Sequence, residues 1–195
     1  MSRNREYNET QVLAGAMHAF RKKGYVGVSI RDLEAATGLT SGSIYNAFGD
    51  KEGLFRAALH FYVVGFVRER LERLAGPAAR LEDLEELYLS IFRPPLDDGF
   101  GCLVTNSMVE FGPVDAPASP AIEEVARMLR ASIGDVLARE IGRERAETLG
   151  PRLILLYHGL LVMSRARHLD GVVEEAISTQ FAELRALRAA HLNPA

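Results

Sequence analysis

Residues 29–54 read SIRDLEAATGLTSGSIYNAFGDKEGL, and three helix starts crowd into them. Ser29 can cap the first, with Asp32 three positions later in the capping-box place, where its charge also suits the positive helix end. Ile30, Leu33 and either Ala36 or Thr37 then recur at helical spacing. Gly38 stops that helix, because glycine accepts the left-handed backbone of a sharp ending. Thr40 or Ser41 opens a second, short helix that ends near Ala47 and Phe48. Asp50 caps a third and much longer one.

Two short helices joined by a tight glycine-containing turn make a helix-turn-helix. In that motif the second helix enters the major groove of DNA, with its N-terminal residues at the base edges. Thr40, Ser41, Gly42, Ser43 and Asn46 are small or polar, so this backbone can come close to a duplex. Ile44 and Phe48, four apart, can anchor the helix to a core. Tyr45 points elsewhere and carries a hydroxyl suited to a phosphate. Lys51 follows the cap Asp50, in a first turn where the helix dipole disfavours a cation. A DNA phosphate would explain it, since phosphate favours both a lysine and a helix N-terminus. Taken alone, Lys51 also reads as a solvated side chain.

The stretch resembles the N-terminal domain of the TetR family of transcriptional regulators. The resemblance lies in Ser29-Ile30-Arg31-Asp32-Leu33, in Ala36-Thr37-Gly38-Leu39-Thr40-Ser41-Gly42-Ser43-Ile44-Tyr45, and in Phe48-Gly49-Asp50-Lys51-Glu52-Gly53-Leu54. The segment Val12 to Gly24, with Ala16, Phe20 and Gly24, is similar to that family's first helix. Further on, Gly101-Cys102-Leu103 resembles a segment of one branch of TetR-type regulators. The resemblance implies a homodimer formed by the last two helices and a small-molecule effector bound in the C-terminal part.

Net charge is −3, an unusual balance for a DNA binder. Its distribution is more favourable. Residues 1–56 carry eight Lys/Arg against six Asp/Glu, and the remainder carries fifteen against twenty. This asymmetry has the right sign but is small, so affinity needs more than one protomer. No apolar run approaches membrane-spanning length, and MSRNREYNET lacks the apolar stretch of a signal peptide. With a single cysteine, Cys102, no internal disulfide can form. These features predict a cytoplasmic protein with no membrane partner.

Catalytic text is missing: there is no phosphate-binding glycine loop, no His-Glu-x-x-His and no nucleophile elbow. The five histidines lack paired ligand spacing, so neither metal nor cofactor is expected, and the chain does not read as an enzyme.

Before the motif, residues 1–8 read as a frayed polar arm. Glu9 or Thr10 starts a helix with Val12, Leu13, Ala16, Met17 and Phe20 as its apolar stripe. Arg21, Lys22 and Lys23 crowd its last turn, read mainly as cations suiting the dipole, and Gly24 ends it.

After the motif, a helix from Lys51 to about Leu74 is too broadly apolar for one stripe. It packs on two sides, its first turns with the DNA-binding core and the rest with the second domain, which makes it a lever. Helices follow over Arg80 to Arg93 and Cys102 to Phe111, and from Pro120, capped by Ser119, to about Ile141. The last two span roughly Ala146 to His168 and Gly171 to Ala190. Pro151 fits either a helix start or a kink in a helix begun earlier, and we adopt the second. A short loop at Leu169-Asp170 predicts an antiparallel pair, and two such pairs would give a four-helix interface.

The expected architecture is all-α, with a helix-turn-helix domain over 1–55 and a helical effector-binding and dimerisation domain over 56–195. Candidate contacts to double-stranded operator DNA are Ser29, Arg31, Thr40, Ser41, Gly42, Ser43, Tyr45, Asn46 and Lys51. Candidates for an apolar effector pocket are Phe61, Tyr62, Phe66, Tyr88, Phe92, Cys102, Met108, Phe111, Met128, Tyr157 and His158. Cys102, opening a helix, is structural or a sensor of oxidants or electrophiles. The function the resemblance implies is repression relieved by an effector. The alternative is a helical small-molecule sensor that no longer reads an operator.

Overall fold

Asn8 accepts a hydrogen bond from the Gln11 N–H and so starts α1, Glu9–Gly27. Gly24 breaks it with φ 77 and ψ 169, where the glycine stop was expected, and a last turn follows the break. Helix α2, Ile30–Thr37, opens with the Ser29–Asp32 capping box and closes on Gly38 at φ 71. Its inward residue after Leu33 is Thr37 rather than Ala36: the Thr37 hydroxyl donates to the Leu33 carbonyl, and Ala36 is exposed. Thr40 caps α3, Ser41–Phe48, and Asp50 caps α4, Lys51–Tyr62.

This computed structural model describes residues 7–94, 96, 98–112, 116–166 and 172–193. The Leu169-Asp170 turn and most of the N-terminal arm lie outside the described residues. Every described element is helical.

α4 continues without leaving helical backbone angles into a π-helical segment, Val63–Arg68, and then α5, Glu69–Ala75. The long rod was expected; the π segment within it was not, because apolar spacing does not report a change of hydrogen-bond register. α6, Leu81–Leu89, begins with Asp83 accepting from the Arg80 N–H and ends in a 3-10 turn, Ser90–Phe92. α7 is Leu103–Phe111 and α8 is Ser119–Ile141. Ser119 is the first residue of α8 and not its cap: Ala118 takes the cap position, and the Ser119 hydroxyl accepts from the Ala116 N–H at 3.0 Å. α9, Arg143–Ala166, starts before Pro151 and runs through it. α10 is Val172–Leu192.

One continuous core runs from Ala16 and Phe20 through Leu54 and Phe55 to Tyr88, Leu129 and Phe181. Leu33 and Ile44, both 0 % exposed, tie α2 and α3 into it. Full burial of such a side chain stabilises by about 1.5–3 kcal/mol. Close approach also needs glycine at one point: a Cβ on Gly15 would lie 2.0 Å from the Ala36 carbonyl oxygen, so only glycine lets α1 and α2 meet. Helices α8 and α9 pack along each other, while α10 rests on α6 and α8. Arg185–Glu85 and Arg188–Glu82 ion pairs join α10 to α6.

Candidate nucleic-acid interface and ligand cavity

The outward face of α3 is polar and small. Thr40, Gly42, Ser43, Tyr45 and Asn46 are exposed, Tyr45 by 48%. Ser41 is half-buried because its N–H donates to the Glu34 carboxylate at 2.6 Å, which fixes the start of α3 on α2. Thr40 Oγ1 accepts from the Ser43 N–H at 3.3 Å, and their hydroxyls lie 3.0 Å apart. The buried Ile44 and the half-buried Phe48 anchor the opposite side. A Cβ on Gly42 would meet no atom within 4 Å, so the protein's own packing does not require glycine there. Open space over a glycine in an exposed helix leaves room for an outside molecule.

Ser29 and Arg31 are exposed at the start of α2. The Ser29 hydroxyl is engaged with Asp32 at 2.8 Å. Lys23, and then the Ser29 N–H and hydroxyl, hold the Asp32 carboxyl well below its ordinary range. Lys51 Nζ lies 4.8 Å from the centroid of the Tyr25 ring and makes no ion pair with a described carboxylate. Both side chains are half-buried, and an aromatic face holds a cation only weakly where solvent still reaches it, so Lys51 is positioned yet still able to meet an anion.

Of the charged cluster that ends α1, Arg21 is no helix-end feature. It is 3 % exposed, donates from Nε to the Gly101 carbonyl and pairs with Asp98. Asn106 of α7 donates to the Arg21 and Phe100 carbonyls. Lys22 sits over the Phe100 ring, and Lys23 pairs with Asp32. These partners lie in the loop before α7 and in α2, so helix position alone did not reveal them.

Behind this junction lies an inner chamber of about 20 Å³, bordered by Tyr62, Phe66, Cys102, Tyr157 and His158. These five were expected pocket residues, and the structure brings them together. The other six are elsewhere. Tyr88 is core, donating to the Leu153 carbonyl and packing on Tyr157 and Phe181. Phe111 packs its ring at a tilt against Tyr25 and Phe55 at the junction. Met128 lines a separate surface groove. Phe92 is half-buried against the core, and Phe61 and Met108 are half-buried outside the chamber. Burial pushes the His158 pKa down, favouring neutral imidazole, and Nδ1 lies 3.2 Å from the Thr105 hydroxyl. Cys102 is buried beside this chamber.

Sequence reasoning missed Arg70 and Thr105, which also line the chamber. A signal for Arg70 was present: it falls four residues after Phe66 and four before Leu74, in register with an apolar stripe.

A helix-turn-helix whose second helix turns a polar face outward, set on a helical body, defines a DNA-binding regulator. Residues 12–58 match the family described as bacterial regulatory proteins, tetR family. YezE of Bacillus subtilis, an uncharacterised HTH-type transcriptional regulator, is 30% identical over 132 residues, which are 66% of this chain and 68% of that protein. The chain belongs to the TetR family of transcriptional regulators.

The HTH-type transcriptional repressor AcnR of Corynebacterium glutamicum is 49% identical, over 47 residues, or 24% of this chain and 25% of that one. A TetR transcriptional regulator from Legionella pneumophila superposes with a TM-score of 0.76 at 18% identity, covering 93% of this chain and 98% of that one, a likeness of fold. A cysteine mutant of the TetR family regulator CifR, complexed with a 26-base-pair operator DNA, superposes at 0.71 with 26% identity over 92% of this chain and 98% of that one. Among the described residues no helix is long and apolar enough to cross a membrane.

Proposed function

We propose that this regulator is a homodimeric repressor that binds a roughly palindromic operator and leaves it when an effector occupies the C-terminal body. The observation that carries this reading is the outward face of α3, whose small polar residues remain exposed while Ile44 and Phe48 anchor it from behind. Thr40, Ser41, Gly42, Ser43 and Asn46 approach bases or nearby phosphates, Tyr45 and Lys51 take phosphates, and Ser29 and Arg31 add backbone contacts. The division falls near residue 55, with the reading domain before it and the effector and dimerisation domain after it. The named repressor among the relatives and the operator-bound neighbour support the choice of partner. A cytoplasmic location follows from that partner.

A second copy is supported by the apolar side chains that α9 and α10 leave outside. Leu155 is 73% exposed, Val162 44%, Met163 41% and Val172 72%. Exposed apolar residues concentrated on two helices call for a cover. Two reading helices roughly 34–36 Å apart, or a multiple, then meet successive major grooves. An effector that binds better to a geometry with another spacing shifts the population away from the DNA-bound form.

Gel retardation against genomic fragments, with sedimentation of the free protein, tests this. Sequence-selective retardation by a dimer is the expected result. A monomer that retards all fragments alike, or none, would overturn it.

A further inference from the structure

Arg70, at 7 % exposure, is a buried cation whose acceptors among the described residues are all neutral. Its Nε donates to the Ser90 hydroxyl at 3.2 Å, and Nη2 donates to the same hydroxyl and to the Leu87 carbonyl. Nη1 donates to the Tyr157 hydroxyl at 2.6 Å. No described carboxylate pairs with it, and one Nη1 N–H is left uncommitted among the described residues. Arginine cannot shed its proton to relieve the burial. Burying a charge without a counter-charge is strongly unfavourable, and folded proteins ordinarily pair such groups.

The location of Arg70 supplies the second observation. Two cavities share Phe66, Arg70 and Leu96: the inner chamber of about 20 Å³ and an outer recess of about 360 Å³ open to solvent. Glu69 and Arg73 border the recess, but both are exposed and opposite in charge, so Arg70 sets the sign at the neck. Inside, the Tyr62 hydroxyl is fully buried, with the weakly bonding Cys102 thiol beside it and no nitrogen or oxygen partner among the described residues. A cation with no counter-ion among the described residues at the neck and an under-satisfied hydroxyl within are matched by one kind of molecule.

We infer that this neck is the anion subsite of the ligand cavity, and that its ligand is an amphiphilic carboxylic acid. The carboxylate sits on the Arg70 guanidinium beside Ser90. The apolar part runs inward toward Leu129 and Leu161, where Tyr62 offers one neutral polar contact. The inference rests on reading the cavity as the effector site. The chamber is smaller than an apolar tail, so filling it must displace a wall. Phe66 and Val67 of that wall belong to the π-helical segment continuous with α4, whose first turns hold the reading domain. Entry of the tail therefore loads the rod that carries α3.

The test is calorimetric titration of the full-length chain with phenylacetate, octanoate and dodecanoate, each set against its primary amide and its amine. At least one carboxylate should bind about tenfold or more tightly than its amide, the gain expected of a charge-assisted hydrogen bond. Amines should bind weakest. Arg70→Met should remove the preference and Arg70→Lys should keep part of it. Tyr157→Phe frees a further Nη1 N–H without touching the charge, so it should keep or sharpen the preference even where Arg70→Met fails to fold. Carboxylates that bind no better than their amides, or a Tyr157→Phe protein that loses the preference, overturn the subsite. Operator retention on the same samples separates the two readings. Release by amides and not by acids overturns the subsite and leaves the effector reading standing. Acid binding that leaves operator affinity unchanged upholds the subsite and overturns the effector reading.

Discussion

The Glu110 carboxylate of α7 accepts hydrogen bonds from the backbone N–H groups of Tyr25 and Val26, at 2.9 and 2.7 Å. It thereby caps the last turn of α1 from 85 residues away. Tyr25 in turn packs on Phe20, Phe55 and Phe111 and lies beneath Lys51. One carboxylate thus links the cavity-bearing body to the turn that supports a proposed phosphate contact.

Glu110→Ala should behave as the loss of a helix cap. Such a loss costs about 1 kcal/mol, which lowers Tm by about 2–4 °C in a chain of this size. Because the cap bridges the body and the reading domain, the effector response should weaken more than operator affinity does. Thermal melts and gel retardation with and without effector measure both, and an unchanged Tm with an unchanged response would remove Glu110 from the coupling.

Lys51→Ala should weaken operator binding about equally for matched and mismatched sites. The slope of log affinity against log salt should flatten by about one per Lys51 engaged, because fewer counterions are released. Its contact with the Tyr25 ring, at a half-buried site, is worth about 1 kcal/mol, so the fold should persist. An unaltered salt slope is the outcome that removes Lys51 from the interface.

Two glycines should respond in opposite ways. A Cβ on Gly53 would stand 1.9 Å from the Phe48 carbonyl oxygen, so Gly53→Ala forces α3 and α4 apart and destabilises the reading domain. Gly42 has open space around it, and alanine there should stabilise α3 by about 0.5–1 kcal/mol through helix propensity. Gly42→Ala should nonetheless lose operator affinity, since the added methyl stands where DNA approaches. A Gly42→Ala protein that is more stable and binds undiminished would show that α3 stays clear of the groove.

Asp32 makes stability pH-dependent in a stated direction. Its folded pKa is lowered by Lys23 first and by Ser29 next. The stabilisation is therefore complete above the unfolded value, about 3.9, and is lost as pH falls toward the folded value. Wild type should hold an advantage over Asp32→Asn at neutral pH that shrinks below about pH 4. Urea midpoints across that range test it, and a constant difference would mean the pair contributes no linkage.

The amino-acid sequence alone determined the local geometry of the reading domain. Ser29 with Asp32, Gly38, Thr40 and Asp50 each act on backbone groups within a few residues, so their effect is readable in one dimension. The long rod, the helical body and five of the cavity residues were legible for a related reason: helical spacing marks which side of a segment is buried. Tertiary structure decided the rest. Arg21 read as a helix-end cation until Asp98 came beside it, and Arg70 drew no reading at all until Ser90 and Tyr157 came beside it. Phe111 looked like pocket lining until it met Tyr25 and Phe55. Burial and pairing between residues far apart in the chain depend on how whole helices pack, and no local pattern encodes which distant side chain arrives.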